Sequence, residues 1–311
     1  MICTRVLCVH RSLDLQSLEA PMDAIEPTST AAEDGGLRVS LRAMWASVAS
    51  SWGELAEYVD TREAVVAHAM LDSAGLQRGE RVLELACGPG GVGMAAAAIV
   101  GPDGAVVLSD IAPEMTAIAA ERAKNAGLTN VTTREVDLER IDYPEAAFDK
   151  VLCREGLMLV PDPASAVREA RRILRPDGRA VFAVWGPRNR NPWLGVLFDA
   201  VTAQTGLAVP PPGIPGPFSL EAPGALGELL VGAGFSGTNV CEIPTPMKAS
   251  SVDEWWSVVP SLAGPLALVL GSLPAEVSAA IRARVDAAMA DFATPDGYEL
   301  PGVSILGVGR R

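Results

Sequence analysis

Histidine is nearly absent: among 311 residues only His10 and His68 carry an imidazole. Few candidates for a histidine base remain, and His68, inside a helical pattern, reads as an ordinary surface or satisfied residue. Positive charge is also short. Lys and Arg number 25 against 38 Asp and Glu, a formal net charge of −13, with a pI of about 4.7. That balance repels a phosphate backbone and argues against nucleic acid as substrate or partner. The five cysteines (Cys3, Cys8, Cys87, Cys153, Cys241) are odd in number and widely spaced, with no C-x-x-C or Cys/His cluster. Neither a disulfide framework nor a metal site is expected, and the usage fits a reducing cytoplasm. Cys87 and Cys153 read as small core residues. The longest apolar stretch, 258–273, is broken by Pro260, Gly264 and Pro265 and falls short of the ~20 residues a bilayer needs. Residues 1–9 are too weakly apolar for a signal peptide.

What is present begins with a tail. Residues 19–36 are rich in Pro, Thr, Ser, Ala and acids. Residues 1–36 are therefore expected to be a disordered extension that adds nothing to the fold, with Met22 as an alternative start. A single domain is expected over 37–311. Leu41, Met44, Trp45, Val48, Trp52, Leu55 and Ala56 then recur at helical spacing. A second helix is predicted over 64–74, with Thr61 as its N-cap and Glu63 close behind. Trp45 and Trp52 are read as packing against the sheet, the alternative being that these helices cover the ligand site.

The chain is organised around residues 80–100. Arg81-Val82-Leu83-Glu84-Leu85-Ala86 is a short, mostly apolar run of strand formers. Gly88, Gly90, Gly91 and Gly93 follow within six residues, before an alanine-rich helix over 94–100. Strand, glycine loop and helix N-terminus make a nucleotide cradle, because unpaired N–H groups and the helix dipole face the ligand. Gly88-Pro89-Gly90-Gly91-Val92-Gly93 fits the dinucleotide pattern G-x-G-x-x-G, with Asp110 the expected ~20 residues on. Against a pyrophosphate stands Glu84, an acid four residues before Gly88 that suits a cationic or amine-bearing ligand. A bare glycine turn is the remaining alternative.

The run Glu84-Leu85-Ala86-Cys87-Gly88-Pro89-Gly90 closely resembles the E/D-x-G/A-x-G-x-G signature of the class I S-adenosylmethionine (SAM) methyltransferases. Within them it resembles the small-molecule branch that includes the quinone-biosynthesis C-methyltransferases. The resemblance implies SAM as cofactor, with S-adenosylhomocysteine as product. Glu84 would hold the SAM amino group, and Ala86, Cys87, Gly88 and Gly90 would let the methionine portion approach.

Beyond the loop, strand and helix signals alternate, as in a parallel sheet with helices on both faces. The second strand, 104–110, ends on Asp110, placed to accept from both ribose hydroxyls or else to cap the helix 113–126. Ile111 and Met115 would contact adenine or ribose. The third strand, 130–137, ends on Asp137; the resemblance gives it the adenine amino group and gives Leu138 a backbone N–H to the ring, the alternative being a solvated acid. The fourth strand, 147–154, leads to Arg154, Glu155 and Met158. Arg154 joins the cofactor set; Arg154 and Glu155 could also bind substrate, help a proton leave, or pair with each other. Arg168, Arg171, Arg172 and Arg175 share one face of the helix 162–174, read as solvated. Arg175-Pro176-Asp177-Gly178 is a turn signal, and the fifth strand, 179–185, ends on Trp185. The expected fold is α/β: a Rossmann-like, doubly wound, seven-stranded and mostly parallel sheet, its last strand (302–309) antiparallel and inserted between neighbours, with N-terminal helices and helical cap insertions.

Two insertions leave the shared core, 186–218 and 251–292. They carry Trp193, Phe198, Phe218, Trp255 and Trp256. These aromatics either line an apolar pocket for a small, flat acceptor or serve as core or dimer contacts, the latter making the chain a homodimer. The function expected is direct in-line methyl transfer to O, N or C, in which the protein aligns donor and acceptor; no catalytic residue is singled out. The alternatives are a nicotinamide-dependent oxidoreductase and a non-catalytic SAM-binding regulator.

Overall fold

The computed structural model describes residues 31–311. Met22 and residues 1–30 of the expected disordered extension lie outside the described residues, whereas 31–36 already belong to helix α1 (Ala31–Glu54). Two shorter helices follow, α2 (Ala56–Arg62) and α3 (Ala64–Ala74). Thr61 lies within α2 rather than capping α3, whose N-cap is Glu63 with no side-chain cap hydrogen bond.

The chain then alternates: β1 (Arg81–Leu85), α4 (Gly91–Val100), β2 (Ala105–Asp110), α5 (Pro113–Asn125), β3 (Val131–Glu135), β4 (Phe148–Arg154), α6 (Pro163–Ile173) and β5 (Leu174–Trp185). Helix α7 (Pro192–Thr205), α8 (Ala225–Gly232) and β6 (Ser236–Pro244) come next. A helical excursion follows: β7 (Met247–Ala249), α9 (Val252–Leu262), α10 (Pro265–Ser272), α11 (Ala275–Met289), β8 (Ala293–Thr294) and β9 (Gly297–Leu300), before the final β10 (Val303–Arg310).

The main sheet has seven strands in the order β3-β2-β1-β4-β5-β10-β6. The pairs β2–β3, β1–β2, β1–β4 and β4–β5 are parallel, and β10 runs antiparallel between β5 and β6, as expected. The central strands are largely apolar because both faces are covered. Leu83, Leu85, Val151, Phe182 and Val184 pack with α6 and α7 residues in one cluster. Val82, Leu152, Val181 and Ala183 turn to the other, with α3 and α4 residues. The strand order reverses between β1 and β4, which opens a crevice at their carboxyl ends.

Some details differ from the sequence reading. The Arg175-Pro176-Asp177-Gly178 signal is not a break between elements. It is accommodated inside β5, where pairing with β4 shifts from Phe148↔Leu174 to Lys150↔Arg179 and Asp177 adopts φ 64°. Segment 251–292 is three helices, and a small antiparallel sheet of order β7-β9-β8 closes it, pinning Met247, Ala249 and Leu300 in the core. Among the described residues no helix is long and apolar enough to cross a membrane.

Candidate active site at the strand carboxyl ends

The turn after β1 needs glycine for conformation and for room. Gly88 and Gly90 hold φ of 49° and 85°, and Ala86 is forced to 49° despite its side chain. A Cβ on Gly90 would lie 2.8 Å from Leu108 Cδ1, and one on Gly93 2.1 Å from Leu108 Cδ2 and 2.5 Å from Glu84 Oε2. Two buried acids fix the loop. Asp110 Oδ2 accepts from the Gly88 N–H at 3.0 Å, and its Oδ1 accepts from the Ala112 N–H at 3.0 Å. Glu84 Oε2 accepts from the Gly93 N–H at 2.8 Å. Burial raises both carboxyls. Glu84 goes from an ordinary 4.5 to about 8, with Arg154 and the Gly93 N–H opposing. Asp110 rises less freely against N–H groups of Ala112, Gly88 and Ile111.

Glu84, expected to hold an amino group of the ligand, is engaged here by the loop. Its carboxyl is 2 % exposed and reaches into the first turn of α4, so its observed partner is the loop itself. Cys87 and Cys153 are buried, and burial pushes both thiols up, Cys153 to about 12; they are the inert small core residues expected.

A roof covers the loop, supplied by α1 and α2. Trp52 Cε3 would stand 3.8 Å from a Cβ on Gly88, and its buried indole N–H has no partner. Trp45 meets it edge-on with ring centroids 6.2 Å apart. The two pack on Ala112, Met115 and Ile118 of the β2–α5 side rather than on the sheet. Asp60 lies directly over Gly91, where an added Cβ would come within 1.9 Å of its Oδ1. Arg122 clamps it, donating to Asp60 Oδ2 and to the Pro89 carbonyl, each at 2.6 Å. Arg154 approaches the other oxygen at 3.9 Å. Arg154 thus faces Asp60, while Glu155 accepts from Ser304 Oγ at 2.9 Å.

On the β2–β3 side, Ile111 is half-buried and Met115 buried. Asp137 stands just past β3, its Oδ1 accepting from the Glu139 N–H at 2.9 Å and its Oδ2 3.5 Å from Arg38 Nε of α1. Leu138 points into the core.

On the β4–β5 side the chain gathers charges that sequence reading missed. Glu155 has φ 56°, and the adjoining Gly156 is pressed so close that a Cβ there would sit 2.3 Å from that of Ala86. Burial and the nearby Glu63 push the Glu155 carboxyl well up, against Arg154 and Arg62. Arg62 ion-pairs with Glu63 and stacks over Trp185 at 5.2 Å and Trp193 at 4.1 Å. Met158 is buried below. Nothing local marks Asp60, Arg62 or Glu63. They acquire meaning only when the α2–α3 junction folds over strands about a hundred residues on.

The aromatic set divides. Trp185 and Trp193 reach the crevice. Trp255 does not: it has no exposed surface, and its indole donates to the Trp193 carbonyl at 3.1 Å, bracing Trp193 from behind. Trp256 is half-buried beneath the Arg282 guanidinium, 5.3 Å from its ring centre. Phe198 is buried against Phe218. Asn191, also buried, ties the start of α7 to β10: its amide donates to the carbonyls of Gly186, Pro187 and Val303, and its oxygen accepts from Trp193 Nε1 and the Val303 N–H. An open cleft of about 860 Å³ between 187–199 and 221–223 is lined by none of the expected cofactor residues.

Residues 76–189 match the family described as a methyltransferase domain. Nocamycin O-methyltransferase of Saccharothrix syringae is 36 % identical over 180 residues, 55 % of this chain and 64 % of the relative. The ubiquinone/menaquinone biosynthesis C-methyltransferase UbiE of Pasteurella multocida is 36 % identical over 110 residues, 35 % of this chain and 41 % of the relative. The chain therefore spans between two fifths and two thirds of the length of these curated relatives. The YcgJ protein of Bacillus subtilis shares the fold at a TM-score of 0.56 and 18 % identity, over 79 % of this chain and 97 % of that one. A putative methyltransferase of Bacillus halodurans does so at 0.53 and 21 %, over 78 % and 97 %. The matched residues span the strands and glycine loop that build the crevice, and it is this segment, 76–189, that is similar to the methyltransferase domain family.

Proposed function

We propose that the chain transfers a methyl group from SAM to a small, flat or apolar acceptor by direct in-line displacement. The observation that carries this reading is the glycine loop. It has no room for a Cβ at Gly90 or Gly93, it is tied from below by Glu84 and Asp110, and it is overhung by an unpartnered Trp52 N–H. That cradle fits the cofactor. Gly88 and Gly90 would admit the methionine portion against bare backbone. Asp110 would take the ribose hydroxyls with lone pairs not used by Gly88 and Ala112, while Ile111 and Met115 would flank the nucleoside. Asp137 and the Leu138 N–H would meet the adenine edge. When bound, SAM supplies an electrophilic methyl on a leaving group that needs no further activation.

The chain's own contribution is position and dryness. Holding donor and acceptor in line can supply up to ~7–11 kcal/mol of a bimolecular barrier. Asp60, between Arg122 and Arg154, closes the donor side. Trp185 and Trp193 wall the acceptor side. Glu155, its carboxyl raised by burial and by Glu63, stands on the same side and would take a proton from the acceptor only in its ionised form. The acceptor is read as a small molecule and not nucleic acid, given the charge of −13. Free, buried Cys87 and Cys153 suit a cytoplasmic setting.

Calorimetric titration with SAM, S-adenosylhomocysteine and NADH, on wild type and Asp110→Ala, tests the cofactor. Saturable S-adenosylhomocysteine binding, weakened about tenfold or more by loss of a charge-assisted pair of hydrogen bonds, is expected. Binding of NADH alone would overturn the reading.

A further inference from the structure

Among the buried polar side-chain atoms without a hydrogen-bond partner are Arg62 Nε, Arg62 Nη2 and Glu63 Oε2. The two nitrogens share the lateral edge of one guanidinium, which is the fork that grips a carboxylate with two parallel bonds. Arg62 Nη1 is already engaged by Glu63, so the fork is the edge left over. The guanidinium plane is fixed, lying over Trp193 at 4.1 Å and Trp185 at 5.2 Å. Buried charged donors left unmatched are costly, and a wall of two indoles cannot satisfy them. The missing partner is a flat pair of anionic oxygens.

The sheet order says whose oxygens they are. Trp185, one of the two indoles under the fork, ends β5, two strands from β1 and three from β2, which sets that end of the wall about 10 Å from the glycine-loop strand at the usual strand spacing. Arg154 and Glu155, at the end of β4, lie between. The fork is therefore on the acceptor side of the crevice, away from Gly88 and Asp110.

We propose that Arg62 anchors the acceptor, and that the acceptor class is a small aromatic or flat molecule bearing a carboxylate. This deepens the methyl-transfer reading and rests on it for the word acceptor; the anion site itself does not depend on it. The indoles hold the guanidinium in place, and the fork holds the carboxylate, setting the distance at which the remainder of the molecule faces the donor.

Benzoate is the probe, with uncharged benzamide as its isostere. Full-length protein is titrated with each, with and without saturating S-adenosylhomocysteine, and binding is followed by tryptophan fluorescence and calorimetry. Wild type is expected to bind benzoate about tenfold or more tighter than benzamide. Arg62→Gln should remove that preference, Arg62→Lys should keep part of it, and neither should change S-adenosylhomocysteine affinity more than about twofold, as expected for a residue off the cofactor side. Equal binding of benzoate and benzamide by wild type overturns the proposal without any variant needing to fold. So does a loss of S-adenosylhomocysteine affinity in Arg62→Gln with benzoate unaffected, which would give the fork to the cofactor's own carboxylate. Failure of S-adenosylhomocysteine to bind wild type would instead sink the methyl-transfer reading, while the benzoate arm still decides the fork.

Discussion

Glu84→Gln is the perturbation that separates a charge from a shape. The Glu84 carboxyl is buried beneath the loop, and burial lifts it from 4.5 to about 8. The unfolded chain ionises this group near 4.5, whereas the folded chain keeps it protonated to about 8. Between those limits the native state binds one more proton than the unfolded state, so stability must fall as pH rises. The slope for one proton is about 1.4 kcal/mol per pH unit, and the window is about 3.5 units wide, from 4.5 to about 8. The full loss approaches ~5 kcal/mol, comparable with the whole stability of many domains, which is ~5–15 kcal/mol. Glutamine keeps an oxygen for the Gly93 N–H, and it does not titrate. Urea unfolding of wild type and Glu84→Gln at a series of pH values isolates the term, since Asp110 and Glu155 titrate in both chains. The variant should match wild type within ~1 kcal/mol near pH 5 and exceed it by several kcal/mol near pH 8. A difference between the two chains that does not change with pH would refute the reasoning.

Two further substitutions test the frame around the site. In Gly93→Ala the new Cβ would meet Leu108 at 2.1 Å and Glu84 at 2.5 Å, so unfolding free energy should drop by about 1–3 kcal/mol from overpacking. Full stability retained in urea would mean that the loop is looser than its contacts. Asn191→Ala strips five hydrogen bonds joining the β5 end, α7 and β10. With the Val303 N–H and Trp193 indole N–H then unpartnered, a loss of ~3–5 kcal/mol is expected; a loss below ~1 kcal/mol would show that water replaces the amide.

The sheet was readable in the sequence because its strands must be apolar on both faces and its loop must be glycine; neither demand depends on distant residues. The antiparallel insertion of β10 was expected from the family resemblance, not from any local residue pattern. What escaped was whatever long-range packing decides. The strong turn at Arg175-Pro176-Asp177-Gly178 became a register shift inside β5, since pairing with β4 on both sides outweighed local propensity. Trp255 and Trp193 look alike as residues, yet one is sealed behind the other. Asp60, Arg62 and Glu63 sit in a short helical stretch of ordinary composition. Only their position over strand ends about a hundred residues away makes them part of a site, and no spacing rule reaches that far.

The roof over the glycine loop has a consequence for access. Helix α2 buries Ala56 and Val59 and packs Tyr58 on the main core; polar contacts add to that grip, Asp60 on Arg122 at 32 % and 22 % side-chain exposure and Arg62 over two indoles. Fully exposed ion pairs hold about 0–1 kcal/mol each, and the Asp60–Arg122 pair is partly shielded from solvent. The loop is thus covered by packed hydrocarbon and by a clamp of charges together. The charge clamp is the part of that cover open to competition: dissolved ions or a ligand's own ammonium group would contend with Arg122 for Asp60.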